Sequence, residues 1–310
     1  MKHYAVDGHL DIHNNREFPE ADMRLLRRYN FDTCAIVGNS GSLLRSAFGK
    51  AIDSHSTVLR LNQAPRGEKG NSFARHVGTT TTLRLVNTRW ANKYGTLGFL
   101  DNGLPLENQV TLVVTRAKPK AYDDMVQYLK KQRGDVHVLY LSSRVISAAR
   151  RAIEEYRGRL ERAGYRRILG GNTPSSGFAG AFLLLKACKQ VTLYGFGLDA
   201  EDGQEQQYHY FHLFSPAHSK KKNSMNLTHS FDTERFLFRA LADGNRVTFC
   251  GFVPGDRKHN RQCGMRKKST KMDAADTFVE FDTVKVRDKS KLWKDKGAPA
   301  GGRRRRRKLR

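Results

Sequence analysis

Two short segments combine glycine, serine and asparagine in a way that could hold an anion. They are Gly38–Ser42 (GNSGS) and Pro174–Gly177 (PSSG). Glycine allows close backbone approach, and a helix that starts after such a turn offers unpaired N–H groups and a positive dipole end. Neither segment has a P-loop lysine or matches G-x-G-x-x-G, which disfavours triphosphate and dinucleotide sites. From the residues alone, a turn with a serine helix cap explains either segment equally well.

The histidines of the chain are further side chains that could do chemistry. His209 precedes Tyr210 in an aromatic run, and His229 stands five residues before Glu234. An imidazole with an ordinary pKa near 6.5 suits general base catalysis at mildly acidic pH. The chain has 11 histidines, so a histidine's presence alone does not mark it as catalytic. Glu234 could orient the segment that follows it or simply favour the amino end of a helix.

Strand and helix signals alternate along the chain that carries these residues. Short apolar or β-branched runs predict strands, and longer amphipathic stretches predict helices. The alternation predicts an α/β domain with a doubly wound, mostly parallel, Rossmann-like sheet, whose strand-to-helix turns are the expected ligand site. The predicted strands are Thr33–Gly38, Thr57–Asn62, Thr82–Asn87, Val110–Arg116, Val136–Ser142, Val191–Gly195 and Arg246–Cys250, and the predicted helices are Ser42–Ala51, Ala121–Gln132, Val145–Ala163, Ser176–Lys189 and Thr228–Leu241.

The chain is strongly basic, and the charge is unevenly spread. Its 310 residues carry a net charge of +26, and half of this excess lies in residues 256–310, which end in RRRRRKLR. Like-charge blocks of this kind are usually solvated and disordered, with a polyanion-binding patch as the alternative. We therefore predict an N-terminal extension over residues 1–24, one domain over residues 25–255 and a basic, disordered tail over residues 256–310.

Composition excludes several other classes of protein. No apolar run approaches the length of a membrane span, and the first twenty residues lack the apolar centre of a signal peptide. Four cysteines without a C-x-x-C pair exclude a zinc ribbon. From the residues alone, a buried free cysteine at a strand end is the favoured explanation of Cys34.

Four segments follow one another over about 200 residues in an order that is hard to obtain by chance. Residues 34–65 read CAIVGNSGSLLRSAFGKAIDSHSTVLRLNQAP, and residues 174–197 read PSSGFAGAFLLLKACKQVTLYGFG. Tyr208–Phe211 (YHYF) and the pair His229 and Glu234, in the spacing His-x4-Glu, follow them. Together they resemble the large, small, third and very short motifs of the eukaryotic sialyltransferases, glycosyltransferase family 29. The resemblance covers roughly residues 25–252 and implies the GT-A-variant sialyltransferase fold.

The resemblance implies a donor site for a CMP-sugar. The first turn and the end of the next strand would contact the phosphate, ribose and base. The second turn would hold the phosphate or the sugar carboxylate. The donor-binding residues implied are Asn39, Ser40, Asn62, Ser175, Ser176 and Gly177.

The resemblance also implies catalytic roles. His229 would be the base that deprotonates the acceptor hydroxyl, and His209 would face the phosphate as CMP departs, with Tyr210 and Glu234 in support. The reaction would be inverting and would move sialic acid from CMP-sialic acid to a glycan of a glycoprotein or glycolipid. A monophosphate leaving group needs little neutralisation and the sequence has no D-x-D, so we expect neither a metal nor another cofactor.

Further expectations concern the compartment and the partners. The family pattern implies a disulfide between Cys34 and Cys188 and a Golgi protein with an N-terminal membrane anchor. An incomplete N-terminus or different targeting would explain why this sequence shows no anchor. Two alternatives stay open: transfer of another CMP-activated acidic sugar such as Kdo, and a non-catalytic sialyltransferase-like protein with a polyanion-binding tail. Beyond non-specific binding by that tail, no nucleic-acid partner is expected.

Overall fold

The computed structural model describes residues 9–10, 28–68, 73–95, 104–165, 168, 170–196, 208–211, 228–251 and 263. Within these residues, eight parallel strands form one sheet. The strands are β1 (His9–Leu10), β2 (Thr33–Val37), β3 (Thr57–Leu61), β4 (Leu83–Val86), β5 (Thr111–Val114), β6 (His137–Leu141), β7 (Gln190–Tyr194) and β8 (Thr248–Cys250).

Helices connect most of these strands. A short 3-10 helix (Gly41–Arg45) and α1 (Gly49–Asp53) follow β2, and the two short helices α2 (Ala74–Val77) and α3 (Thr88–Tyr94) lie on either side of β4 in the chain. The longer helices are α4 (Pro119–Gln132), α5 (Ser143–Arg162), α6 (Ser176–Ala187) and α7 (Phe231–Asp243).

The strand order is β1-β6-β5-β4-β3-β2-β7-β8. From β2 the chain moves outward through β3, β4, β5 and β6, and it later returns to place β7 on the other side of β2. This reversal makes the sheet doubly wound and puts its switch point between β2 and β7, which confirms the predicted fold class.

The core lies on both faces of the sheet, because alternate strand residues point to opposite sides. On one face, Ile36 and Leu59 pack with α5, α6 and α7. On the other face, Ala35 and Val58 pack with the 3-10 helix, α1 and α2, and further along the sheet Val114 packs with α3 and α4. Since both faces are covered, the strands are apolar almost throughout, which is why sequence patterns located them well.

The single helix predicted over Ser42–Ala51 is wrong. The chain instead forms the 3-10 helix, leaves it at Ser46 in an extended conformation, and begins α1 at Gly49. The N–H and the hydroxyl of Ser46 both donate to the carbonyl of Leu43, at 3.2 and 3.0 Å, and so satisfy the end of the first helix. A Cβ on Gly49 would stand 1.9 Å from the carbonyl oxygen of Ala74, so the start of α1 lies in close contact with the α2 segment and requires glycine.

The ends of the domain also differ from the sequence-based boundaries. His9 and Leu10, assigned to an extension, pair with β6. Cys263, assigned to the tail, is buried and forms a disulfide with Cys250. Contacts divide the chain into the units Met1–Arg266 and Lys267–Arg310. The second unit lies outside the described residues, so the predicted disorder of the tail stays a prediction. No helix in the described part of the chain is long and apolar enough to cross a membrane.

Candidate functional site

The first glycine-rich turn meets the end of β7 at the switch point of the sheet. The N–H of Gly38 donates to the carbonyl of Tyr194 (2.7 Å), and that of Ser40 donates to the carbonyl of Gly195 (3.1 Å). A Cβ on Gly38 would stand 2.2 Å from the oxygen of Gly195, which itself has a φ of +70°. Only glycine fits both positions, and their contact opens the carboxyl edge of the sheet.

Asn39 presents an unsatisfied polar atom at this edge. Its carbonyl accepts the N–H of Tyr210 (2.9 Å), but its buried Oδ1 accepts no hydrogen bond from any described residue. Ser40 caps the 3-10 helix by accepting the N–H of Ser42 (3.2 Å). Because that helix has only five residues, it offers little of the dipole that the sequence suggested for this turn.

Asn62 follows β3 in a left-handed conformation, with φ +52°. Its carbonyl accepts a hydrogen bond from the buried Arg84 (2.7 Å), and its Oδ1 accepts the N–H of Asn87 (3.1 Å). Asn87 follows β4, caps α3, and donates through Nδ2 to Oγ of Ser176 (3.3 Å). Asn87 therefore joins the ends of β3 and β4 to the start of α6.

The second turn begins the 12-residue helix α6 with Ser175 as its cap, as predicted. The Oγ of Ser175 accepts the N–H of Phe178 (3.0 Å). Its hydroxyl and its N–H donate to the two carboxyl oxygens of Glu234, at 2.6 and 2.7 Å. Since Ser175 directs both donors at Glu234, the first-turn N–H groups of Ser176 and Gly177, which have no carbonyl partner within the helix, are the ones suited to an anion.

Glu234 lies in the first turn of α7 and is buried. Burial raises its pKa to about 7, although the hydrogen bonds from Ser175 and the positive charge of Arg116 oppose this shift. The carboxyl group therefore changes charge near neutral pH while it holds the start of α6.

Arg116 supplies a positive charge beside this carboxyl group. It follows β5 with a φ of +61°, and its Nη1 donates to the carbonyl of Pro174 (3.0 Å). Its carbonyl accepts the hydroxyl of Thr88 (2.6 Å), and its charge lowers the pKa of both Glu234 and His229. The guanidinium thus lies at the second turn, close enough for its charge to act on both ionisable groups of the predicted very short motif.

His229 lies just before α7, whose cap is Ser230. Its Nδ1 is 2.7 Å from the carbonyl oxygen of Thr173. A carbonyl can only accept, so Nδ1 carries the proton and Nε2 is the basic nitrogen of the neutral ring. Burial lowers the pKa of His229, the bond to Thr173 opposes this effect, and the charge of Arg116 adds to it. The ring is therefore neutral, as a base must be, near neutral pH.

The segment Tyr208–Phe211 is hydrogen-bonded to the first motif segment, residues 34–65. Tyr210 is buried, donates its hydroxyl to the carbonyl of Pro65, and packs its ring edge-on against Phe73 with 5.4 Å between ring centroids. The neighbouring His209 stacks on Phe211, with 5.1 Å between ring centroids and 12° between planes. Because Tyr210 also bonds to Asn39, the structure brings His209 to the same edge as the first turn.

A family model identifies the chain. The model described as "Glycosyltransferase family 29 (sialyltransferase)" matches residues 11–246, well over half of the sequence. The chain belongs to glycosyltransferase family 29. The predicted resemblance is therefore confirmed, whereas the roles of individual site residues stay predictions.

Relatives of this family 29 chain are sialyltransferases. It is 29% identical over 190 residues to beta-galactoside alpha-2,6-sialyltransferase 2 of Xenopus tropicalis, covering 57% of this chain and 34% of that protein. It is 29% identical over 223 residues to the CMP-N-acetylneuraminate-beta-galactosamide-alpha-2,3-sialyltransferase 1 of Homo sapiens, covering 69% of this chain and 57% of that protein. The chain thus spans between a third and about three fifths of these relatives.

The fold of this family 29 chain has a counterpart among solved structures. A crystal structure of a mammalian sialyltransferase in complex with Gal-beta-1-3GalNAc-ortho-nitrophenol superimposes with a TM-score of 0.51 and 23% sequence identity. The match covers 74% of this chain and 72% of that chain. At this identity, the likeness shows a common fold.

The disulfide that the family pattern implied is present. Cys34 in β2 bonds to Cys188 at the end of α6, with 6.2 Å between the Cα atoms. This overturns the free cysteine that the residues alone favoured. The bridge lies at the opposite end of α6 from Ser176, so it fastens the helix to β2 away from the site. Among the described cysteines none is free.

Sequence reasoning missed Asn87 and Arg116 as site residues. Each ends a strand that was predicted, but no local motif surrounds either one. Their position follows from the strand order, since β4 and β5 lie in line beyond β3 and end at the same edge as β2. The fold-level rule that such edges bind ligands was the signal that could have found them. In the described part of the chain, no three His, Cys, Asp or Glu side chains are grouped to hold a metal.

Proposed function

We propose that this chain is an inverting, metal-independent sialyltransferase. It moves sialic acid from CMP-sialic acid to a hydroxyl group on the glycan of a glycoprotein or glycolipid. The observation that carries the proposal is the position of His229, whose Nδ1–H is held by Thr173 directly before the second turn. Membership of glycosyltransferase family 29 supports the donor class.

The donor occupies the carboxyl edge of β2, β3 and β7. Asn39 and Asn62 contact the nucleotide, and the unsatisfied Oδ1 of Asn39 accepts a hydrogen bond from the ligand. The N–H groups of Ser176 and Gly177 receive the phosphate or the sugar carboxylate at the start of α6. Ser40 and Ser175 shape the two turns through their cap bonds, and Ser175 contributes to the donor site through the start of α6.

The reaction is a displacement at the anomeric carbon of sialic acid. The bond from this carbon to the phosphate oxygen breaks, CMP leaves with the electron pair, and the acceptor oxygen bonds to the opposite face. Nε2 of His229 takes the proton of the acceptor hydroxyl. Negative charge grows on the phosphate as the sugar becomes oxocarbenium-like, and His209, Arg116 and the start of α6 stabilise that charge.

No metal ion takes part, because a monophosphate that leaves with one additional charge can be stabilised by these groups alone. Two disulfides in the described residues fit an oxidising compartment, so we place the reaction in the Golgi lumen.

Two measurements test the proposal. The full chain, folded with its disulfides, is melted in EDTA with CMP, UMP or AMP, and CMP at about 100 times its Kd is expected to raise the Tm by several degrees. Release of CMP from CMP-sialic acid is then followed with a panel of galactose-terminated glycans. Transfer in EDTA is the expected result. A folded protein without a CMP-selective shift, or one that uses CMP-Kdo and not CMP-sialic acid, contradicts the proposal.

A further inference from the structure

Arg157, in the carboxyl-terminal half of α5, contacts two segments of the site at once. Its Nη1 donates to the carbonyl of Gly170 (3.1 Å) and to Oδ1 of Asn172 (2.7 Å), and its Nη2 donates to the carbonyl of Gly171 (3.3 Å). Its Nε donates to Oγ1 of Thr233 on α7 (3.3 Å). One half-buried guanidinium therefore joins the loop before the second turn to the first turn of α7.

Both segments hold His229. The loop leads directly to Thr173, whose carbonyl accepts Nδ1–H of His229 and whose N–H donates to the carbonyl of Thr228 (3.1 Å). On the other side, Oγ1 of Thr233 bonds to Oγ of Ser230, the residue that follows the histidine (2.8 Å). Arg157 thus bonds to Asn172, the residue before Thr173, and to Thr233, the hydroxyl partner of Ser230, so it joins the two segments next to the histidine.

A second contact from α5 supports the loop. Nδ2 of Asn172 donates to Oε1 of Glu154 (3.0 Å), and Glu154 is paired with Arg150 (3.0 Å). Both ends of the Asn172 amide are therefore held by α5. All four acceptors of Arg157 are neutral oxygens arranged around a planar fork, so the geometry of the guanidinium matters here beyond its charge.

We propose that Arg157 is a positioning residue for the predicted base His229. By fixing Gly170–Thr173 and the start of α7 together, it keeps the carbonyl of Thr173 on Nδ1 and so keeps Nε2 as the basic nitrogen. This inference rests on the proposed function in so far as His229 is the base. The clamp itself concerns the state of the imidazole and can be measured without turnover.

The first test compares Arg157→Met and Arg157→Lys with the wild type. Arg151→Met is the matched control, because Arg151 is an exposed arginine on the same helix. We expect Arg157→Met to lower kcat by about 10²-fold, as a misplaced catalytic group does, with little change in KM for CMP-sialic acid. Lysine cannot form the fork and restores little of the rate. An increase in KM for the donor with kcat unchanged contradicts the proposal. A wild-type rate in Arg157→Lys contradicts it as well.

The second test needs no activity. Nitrogen NMR of the imidazole is expected to show the Nδ1–H form of His229 in the wild type and in Arg151→Met. In Arg157→Met the two neutral forms mix, and the pKa of His229 falls because the bond to Thr173 that raised it is weakened. Arg116, whose charge acts on the ring from the end of β5, is unchanged in these variants.

An unchanged imidazole in folded Arg157→Met overturns the inference. If the NMR result is as expected but the wild type transfers no sugar, the proposed function fails and the clamp stands. Should Arg157→Met not fold, Asn172→Ala and Thr233→Val each remove one contact of the guanidinium. Each is expected to give the same change in His229 to a smaller degree, and no change in either variant overturns the inference.

Discussion

Glu234 accepts both the N–H and the hydroxyl of Ser175, so one buried carboxyl group of α7 holds the residue that caps α6. The predicted small and very short motifs are joined by this pair of bonds. Because the pKa of Glu234 is about 7, the charge at this junction changes near neutral pH.

Glu234→Gln should remove a pH dependence from the free energy of unfolding. The folded state raises the pKa of Glu234 from an unfolded value near 4.3 to about 7, so it binds the proton more tightly than the unfolded chain. The resulting stabilisation is complete below pH 4.3 and is lost as the pH rises through 7, a change of about 4 kcal/mol. Urea titrations of both proteins at pH 5 and pH 8 measure it, and parallel changes in the two proteins would contradict the prediction.

His229→Ala should abolish transfer while CMP still binds. Removal of a general base costs about 10²–10⁴-fold in rate, whereas the proposed donor contacts lie on other residues. Calorimetric CMP binding and CMP release from the donor separate the two effects. His137→Ala is a suitable control, because His137 begins β6 at the opposite edge of the sheet, where it contacts Arg28. Unchanged turnover in His229→Ala would contradict the role of His229 as general base.

Arg116→Met should raise the pKa of His229 and move the acid limb of the rate profile to higher pH. The positive charge of Arg116 lowers that pKa in the wild type, and the neutral side chain removes this effect. The loss of charge beside the second turn should also raise KM for the donor. Arg116→Lys, which keeps the charge, should leave the acid limb near its wild-type position. An acid limb that moves to lower pH in Arg116→Met would show that the charge acts elsewhere.

Gly38→Ala should destabilise the protein by about 3 kcal/mol or more and eliminate CMP binding. The new Cβ would stand 2.2 Å from the backbone oxygen of Gly195, and only a shift of the backbone could relieve this clash. Gly134→Ala is the matched control, since the nearest atom to its Cβ, the carbonyl oxygen of Lys130, is 3.9 Å away. Chemical denaturation and the CMP melt check both variants, and equal behaviour of the two would contradict the role of the switch-point contact.

Removal of the two disulfides should lower the free energy of unfolding by different amounts. The entropy lost by the unfolded chain predicts that Cys34–Cys188, with a sequence separation of 154, adds about 5 kcal/mol to the free energy of unfolding. Cys250–Cys263, with a separation of 13, is predicted to add about 3 kcal/mol. Paired serine variants of each bridge, compared by urea unfolding, measure the difference. A larger loss from the second pair would indicate that packing of Cys263 outweighs chain entropy.

Much of the fold could be predicted because parallel strands covered on both faces leave apolar runs in the sequence. β2 and β3 end within one residue of the predictions. The close contact of Gly49 with Ala74 beside the break at Ser46 could not be predicted, since it joins residues distant in the sequence. The pairing of Cys263 with Cys250 lies in a segment whose charge pointed to a tail.

Some residues of the candidate site could likewise be predicted from the sequence, and others could not. Its motif residues were visible because they cluster in short segments, and the structure brings Asn39, Ser176, His209 and His229 to the carboxyl edge of the sheet. Arg116 was hidden because its position depends on strand order and on an unusual backbone angle. Arg157 was hidden because its acceptors are backbone carbonyls and short polar side chains, which carry no pattern in sequence.

The central position of β2 has a consequence for synthesis on the ribosome. Its pairing with β7 waits for residues made long after it, since Cys34 and Cys188 are separated by 154 positions. Until then one edge of β2 exposes unpaired N–H and C=O groups, which invite pairing with other nascent chains. The carboxyl edge is also incomplete until α7 has left the exit tunnel. A ligand of that edge therefore cannot stabilise the growing chain before α7 has been made.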